Sequence, residues 1–303
     1  MAGKSPLEAD VPPPWQQQSR RPRVVLLGQS DPDEVQRVTD DLRPLIEQHC
    51  DIVLEDYDGQ QEISPESGDL ALVFGGDGAM LRAARQIGTA GLPVIGINLG
   101  NLGFLADLPP DEVADALPAV VAGQFRVVPH LMFRCDVLHK GEVISSQLGL
   151  NETAILGGSP FSLLELDLYV DGELATSYSC DGLIVSTPVG STAHSLSAGG
   201  PILRKDLQAF VILPVSAHTL TVRPLVDSVH RVYEIVVGHP NDATWVVVDG
   251  ETIHRLDTDD RVCVRRADAE FKMIEIAGHT YYATLREKLG WGGHLRRLGS
   301  RRD

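Results

Sequence analysis

The chain has 303 residues, 43% of them hydrophobic, with 42 acidic against 26 basic side chains and a formal net charge of -16. That length supplies one large or two ordinary domains, each with its own core. The acidity excludes a surface built to hold nucleic acid, which demands clustered basic side chains, but leaves room for a small anion held by a few arginines or helix N-termini.

Cys50, Cys135, Cys180 and Cys263 show neither CxxC nor Cys/His metal-ligand spacing, which favours reduced thiols over a disulfide framework or zinc knuckle. No apolar stretch reaches membrane-spanning length, and the first twenty residues lack the hydrophobic region of a signal peptide. The expected setting is cytoplasmic, with no membrane contact and with residues 1–22 disordered.

In chain order, Arg23 to Leu27 reads as an apolar strand, and Val35, Val38, Leu42, Leu45 and Ile46 then recur at helical spacing, with Pro44 as a potential kink. Strands follow at Asp51 to Leu54, Leu70 to Phe74 and Pro93 to Ile97, with a helix over Ala79 to Ile87. This alternation predicts an α/β domain, residues 23–125, with a parallel sheet and ligand loops at its carboxyl edge. From about residue 126 the pattern turns to strands: His130 to Leu138, Glu142 to Leu148, Phe161 to Val170, Glu173 to Ser179, Leu183 to Ser186, Arg231 to Val237 and Thr244 to Val248. Asp171-Gly172 and Asp249-Gly250 read as hairpin turns. Residues 126–270 are therefore expected to form a mostly antiparallel, sandwich-like β domain, followed by a strand at Phe271 to Ile276, a helix at Tyr281 to Leu289 and a flexible tail.

Two glycine-rich segments carry the chemistry. Gly75-Gly76-Asp77-Gly78 lies between a strand and a helix, where glycines let phosphate oxygens approach the backbone and the helix N-terminus favours anions. Asp77 can help hold Mg²⁺ on a triphosphate, accept a proton from an attacking hydroxyl, or simply cap the helix. Asp181 to Pro201 is dense in Gly, Ser and Thr, a composition that suits a ligand loop better than a core, since small hydroxyls need local partners. In it Thr192, Ala193 and Ser197 can meet a base edge while His194 packs on the ring. Phe104, in Leu99-Gly100-Asn101-Leu102-Gly103-Phe104, can wall a ribose or base. Asn151-Glu152 can bind vicinal ribose hydroxyls or merely end a strand. The scattered histidines form no metal motif, the GxSxG elbow is absent, and Gly28-Gln29-Ser30-Asp31 is not a dinucleotide fingerprint.

As an ordered series, GGDG at 75–78, GINLGNLGFL at 96–105, NE at 151–152, DGLIVSTPVGSTAHSLSAGGPI at 181–202, PVSAHTLTVRPLV at 214–226 and VVDGE at 247–251 resemble the NAD kinase family. The resemblance spans roughly residues 23–289. It implies a Rossmann-like N-terminal domain, a C-terminal β domain, a last segment (271–303) returning to the first domain, and a homodimer or homotetramer with sites shared between subunits. It also implies ATP and NAD as substrates with Mg²⁺ or another divalent cation. By motif position Asp77 resembles the family's acid near the adenosine-ribose 2′-hydroxyl, and Gly75, Gly76 and Gly78 the phosphate-proximal loop. Asn151 and Glu152 resemble its ribose contacts, Asp181 its nicotinamide contact, and Thr192 and Ser197 its adenine-end contacts. His194 stands where a stacking tyrosine is common, and Ser179 where arginine is. A lipid or sugar kinase sharing GGDG, or a non-catalytic dinucleotide-binding regulator, are the alternatives.

Overall fold

The computed structural model describes residues 12–29, 32–100, 103–158, 163–218, 221–276 and 281–290. The expectations for residues 1–11, the start of the Phe161 strand, Asn101-Leu102 and the tail from 291 lie outside the described residues.

The first half alternates strand and helix. A single turn, α1 (Pro14–Gln17), precedes β1 (Arg23–Gln29), α2 (Pro32–His49), β2 (Asp51–Asp56), β3 (Leu70–Gly75), α3 (Asp77–Ile87), β4 (Val94–Ile97) and α4 (Val113–Val121). The four strands lie in the order β2-β1-β3-β4 and are parallel. β3 and β4 are buried at every position, as parallel strands covered on both faces must be. On one face Val35 and Ile46 of α2 pack with Val113, Leu117 and Val120 of α4; on the other sit Ala79, Met80, Ala83 and Ile87 of α3. α2 runs through Pro44, and α4, preceded by a 3-10 turn at Pro110–Glu112, is a helix that the run of prolines concealed.

The second half is almost wholly β: β5 (Arg126–His139), β6 (Glu142–Gly149), β7 (Glu152–Leu156), β8 (Leu164–Val170), β9 (Glu173–Cys180), β10 (Gly182–Ser186), β11 (Ala209–Val215), β12 (Leu225–Ser228), β13 (Tyr233–Val237), β14 (Trp245–Val248), β15 (Glu251–Arg255) and β16 (Asp260–Glu275). The exceptions are a 3-10 turn at Gly190–Thr192, the four-residue α5 (His194–Ser197) and α6 (Tyr281–Lys288). One sheet runs β12-β11-β10-β7-β14-β15, antiparallel throughout. It faces β5, β8, β9, β13 and β16 across a core that includes Phe133, Leu166, Val185, Phe210, Tyr233, Val246 and Val264, a sandwich whose two inner faces interlock.

β16 joins the halves. The expected strand at Phe271 to Ile276 is only the end of a sixteen-residue strand. Its first part pairs antiparallel with β13, its whole length follows β5, and Met273 pairs parallel with Val94 of β4. A register shift between Arg266 and Glu270 bends it between the two cores. Both expected hairpin turns form, with positive φ at Asp171 (51°), Gly172 (82°), Asp249 (49°) and Gly250 (81°), the signature of the type I′ turn.

One correction concerns the amino terminus. Within the segment expected to be disordered, Trp15 is 3% exposed, stacks on Phe125 at 6.0 Å and donates its indole N–H to the Val121 carbonyl at 3.0 Å. Arg20 then pairs with Asp69. A large aromatic with a satisfied polar tip stabilises docking of an otherwise polar segment. Replacing Trp15 by Ala is expected to cost about 3–5 kcal/mol of unfolding free energy, measured by urea titration; a loss below ~1 kcal/mol would show that this turn rests on the domain without supporting it.

Candidate functional site

At the carboxyl edge of the parallel sheet, β3 passes into α3 through Gly75, whose φ of 139° disfavours any side chain. A Cβ on Gly76 or Gly78 would meet nothing within 4 Å, so both present bare backbone to open space at the helix N-terminus, where anions are favoured. Gly76 is the N-cap, and Asp77 makes no cap. Its carboxylate instead reaches across to the next loop: Oδ2 accepts from the Phe104 N–H at 2.9 Å, and Oδ1 from Leu105 at 2.9 Å and Ala106 at 3.3 Å. Gly103 has to be glycine, because a Cβ there would stand 2.1 Å from Asp77 Oδ1 and 2.9 Å from the Ala106 carbonyl oxygen. Asp77 thus pins the loop that carries Phe104.

A second carboxylate, this one buried, does the same for Asn151-Glu152. Asp249 accepts from the backbone N–H of Leu150 and Asn151 at 2.8 Å each and of Glu152 at 3.1 Å, and its own N–H donates to the Glu152 carbonyl at 3.0 Å. The hairpin reading of Asp249-Gly250 holds, and the side chain has this further role. From α3, Arg85 bonds Glu251 and stands 3.9 Å from Asp249. The helix therefore touches one loop at its first residue and the other near its end.

Glu152 is 8% exposed, and its Oε2 has no hydrogen-bond partner among the described residues. Burial pushes its carboxyl up to about 8, reinforced by Asp249 and opposed by the His194 N–H. Burial also raises Asp249, against its three N–H donors and Arg85. With donors gathered on Asp249 and only one on Glu152, a proton shared by the pair rests on Glu152. Sequence alone assigns Glu152 an acceptor's role; protonated, it also donates.

The Asp181 to Pro201 segment is corrected in one respect. It is not an open loop: Ser186, Thr187, Ser191 and Ser195 are completely buried. Their burial is tolerable because most of the hydroxyls turn back on the chain. Thr187 Oγ1 donates to the Leu150 carbonyl at 2.6 Å and accepts from the Gly190 N–H at 3.1 Å, while Ser191 Oγ donates to Pro188 at 2.6 Å and accepts from Leu203 at 2.9 Å. Thr192 Oγ1 donates to Val189 at 3.0 Å, which leaves it an acceptor for a ligand. Gly190 fits only without a Cβ, which would stand 2.1 Å from the Asn151 carbonyl oxygen. Val189 packs in one cluster with Ala79, Met80 and Leu150, so the two glycine-rich segments meet. Ala193 and His194 are half-buried and Ser197 is exposed, and these three form the loop's accessible rim.

Contacts thus link the 75–78 turn, Phe104, Asn151, Glu152 and the 192–197 rim. Asp181 stands apart. Gly182 is opposite Leu156 and Ser186 opposite Glu152, so Asp181 lies at the other end of β10, roughly 15 Å along the strand at about 3.3 Å per residue. There its carboxylate is 3.9 Å from His218 Nε2.

The two arginines nearest the loops in sequence are engaged locally: Arg204 binds both oxygens of Asp206 at 2.9 Å and Arg82 donates to the Asp58 carbonyl at 3.1 Å. The informative cations are their neighbours Lys205, which donates to the Phe104 carbonyl at 2.8 Å, and Arg85. The available signal was a basic residue inside or just beyond each glycine-rich segment, with nothing local to choose among them. Among the described residues no three His, Cys, Asp or Glu side chains gather as a metal site.

Comparison with known proteins bears on the same segments. Residues 16–125 match the ATP-NAD kinase N-terminal domain and residues 150–276 the ATP-NAD kinase C-terminal domain. An NAD kinase of Rhodopirellula baltica is 51% identical over 93% of this chain and 90% of its own length, and one of Shewanella halifaxensis is 40% identical over 76% and 75%. Among solved structures, yeast NADH kinase complexed with NADH superposes with a TM-score of 0.77 at 22% identity, covering 91% of this chain and 90% of that one. An NAD kinase from Archaeoglobus fulgidus in complex with ATP gives 0.68 at 26% identity, covering 88% and 97%.

The Glu152 proton makes a prediction for the free protein. The folded state holds it up to about pH 8, whereas an unfolded chain releases it near 4.5, so this group's contribution is most favourable below 4.5 and declines as pH rises toward 8. Replacing Glu152 by Gln should remove that decline: measured by urea unfolding, E152Q gains on wild type between pH 5 and pH 8. Parallel pH curves would show that Glu152 ionises in the folded state as it does in water.

Proposed function

This chain belongs to the ATP-NAD kinase family, and from that premise we propose how its loops divide the work of moving the γ-phosphoryl group of ATP to the 2′-hydroxyl of the adenosine ribose of NAD. A bond forms between the ribose oxygen and the γ-phosphorus while the bond to the β,γ-bridging oxygen breaks, giving NADP, ADP and one proton. Such a transfer asks the protein mainly for positioning and electrostatic stabilisation. The bare backbone at Gly76 and Gly78, open where a Cβ would point, receives phosphate oxygens at the N-terminus of α3.

The observation that carries the assignment is the coordination of Asp77. A carboxylate offers about four acceptor sites, and three backbone N–H groups of residues 104–106 use three of them. One remains, on a side chain held rigidly at the helix start, to orient the 2′-hydroxyl and take its proton. Asn151 and protonated Glu152 contact the ribose, with Glu152 able to donate. Phe104, Thr192, Ala193, His194 and Ser197 face the adenine end, His194 offering a smaller stacking surface than tyrosine. Mg²⁺ enters on the triphosphate, whose oxygens supply its ligands in place of a cage of side chains.

We also propose a homodimer or homotetramer, with Asp181, at the far end of β10 from its fellow site residues, meeting the nicotinamide amide of an extended dinucleotide in its own cleft or a neighbouring subunit's. Free thiols at all four cysteines accord with a cytoplasmic setting. A lipid or sugar kinase would share the 75–78 turn but has no use for the 181–201 segment.

The assignment is tested with purified protein, NAD, ATP and Mg²⁺, following NADP. Replacing Asp77 by Asn should lower turnover about 10²–10⁴-fold while calorimetry still detects NAD binding. Near-normal turnover in D77N would remove Asp77 from the chemistry.

A further inference from the structure

Lys205 is a cation beside the proposed chemistry, bonded to the Phe104 backbone, that the family's motifs do not account for. It follows the long loop, half-buried, in a small cavity of about 40 Å³ whose lining includes Phe104, Asp107, His130, Glu275 and Tyr281. Its ammonium donates to the Phe104 carbonyl at 2.8 Å and lies 5.6 Å from the centre of the Tyr281 ring. Tyr281, on α6, in turn donates its hydroxyl to the Leu203 carbonyl at 2.8 Å, two residues before Lys205. His130 is 2% exposed, and its Nδ1 has no hydrogen-bond partner among the described residues. The imidazole interacts with the backbone of Lys205, and burial, with the ammonium nearby, drives its pKa down to about 3, so it supports the lysine without adding charge. Burial lowers the lysine's own pKa, while Asp107, Asp77 and Glu275 favour its charged form.

The Phe104–Leu105 peptide unit is held at both ends. Its carbonyl accepts from Lys205, and its N–H, that of Leu105, donates to Asp77 Oδ1 at 2.9 Å. The peptide dipole is thereby aligned between an ammonium and a carboxylate, each bond charge-assisted and each strengthening the other. We propose that Lys205 is a positioning residue for phosphoryl transfer, acting through the Phe104–Leu105 peptide to fix the Asp77 carboxylate and the Phe104 wall in register. It touches neither reacting group. Without it, the carbonyl loses its strongest donor, the 103–106 turn can rotate, and Asp77 follows the N–H groups it holds. The lysine also ties the end of the substrate loop and α6 to the 75–78 turn, so that the phosphate and adenine ends of the cleft are set by one contact.

This inference rests on the assignment of Asp77 above, and the experiment separates the two. Steady-state kinetics and melting temperature are compared for wild type, K205M, which keeps the side chain's bulk without its charge, and K205R. The expected result is a kcat about 10–100-fold lower in K205M, the scale of a small misplacement at a reacting group. KM for NAD and for MgATP should stay within about threefold, and K205R should recover most of kcat. A general loosening of the fold would instead raise both KM values and lower the melting temperature without rescue by arginine, and that pattern overturns the proposal. So does a K205M kcat within twofold of wild type, or, should K205M not fold, a K205R that folds but has lost kcat as fully as D77N. Wild-type protein that forms no NADP overturns the reading beneath, and the proposal with it.

Discussion

The arrangement depends on two carboxylates, half-buried Asp77 and buried Asp249, that bind backbone N–H groups. Asp77 takes three N–H groups of one loop and Asp249 three of another. A lost partner in such a network leaves a buried polar group unpaired, which costs roughly 1–3 kcal/mol and more when it is charged, so both loops are set tightly. Glycines at 103 and 190 are the steric counterpart: each lies where a backbone or carboxylate oxygen occupies the space of a Cβ. The site is built on rigid elements, since α3 holds the 104–106 turn through Asp77 and faces, through Arg85, the Asp249 carboxylate that holds residues 150–152.

This division of labour sharpens what each acid can do. Asp77 keeps one free acceptor direction, which suits a single hydroxyl and leaves little for a metal's coordination shell. Glu152, with one N–H donor and an acidic neighbour, retains its proton and behaves as a hydrogen-bonding group rather than a charge. Glu152 keeps its proton because burial and the neighbouring Asp249 outweigh its one N–H donor, the usual way in which environment tunes a carboxyl.

Much of this was legible in the sequence. The parallel strands, α3, the sandwich and both type I′ turns follow from apolar period and from Asp-Gly pairs, and the motif residues around 75–78, 151–152 and 192–197 come together in space. What was hidden depends on long-range pairing. Only the end of β16, Phe271 to Ile276, reads as a strand, because Arg265-Arg266 and Asp268 interrupt the apolar pattern before it, and α4 is masked by Pro109, Pro110 and Pro118. The hydroxyls of 186–195 read as those of a ligand loop until their backbone partners are known. Asp249 and Lys205 act on backbone atoms about a hundred residues away, a relation no local pattern encodes. Asp181 has the right residue type in the right motif, yet strand register carries it to the other end of β10.

The central claim, that the Asp77 carboxylate holds the 104–106 turn as well as serving the reaction, is tested most directly by amide hydrogen exchange in the absence of ligand. In wild type the Phe104, Leu105 and Ala106 amides should be protected well beyond their exposed neighbours. In D77N, where one acceptor oxygen is lost, Leu105 and Ala106 or Phe104 should exchange at least ten times faster while the β3 core is unchanged. Equal protection of all three amides in both proteins would contradict the account.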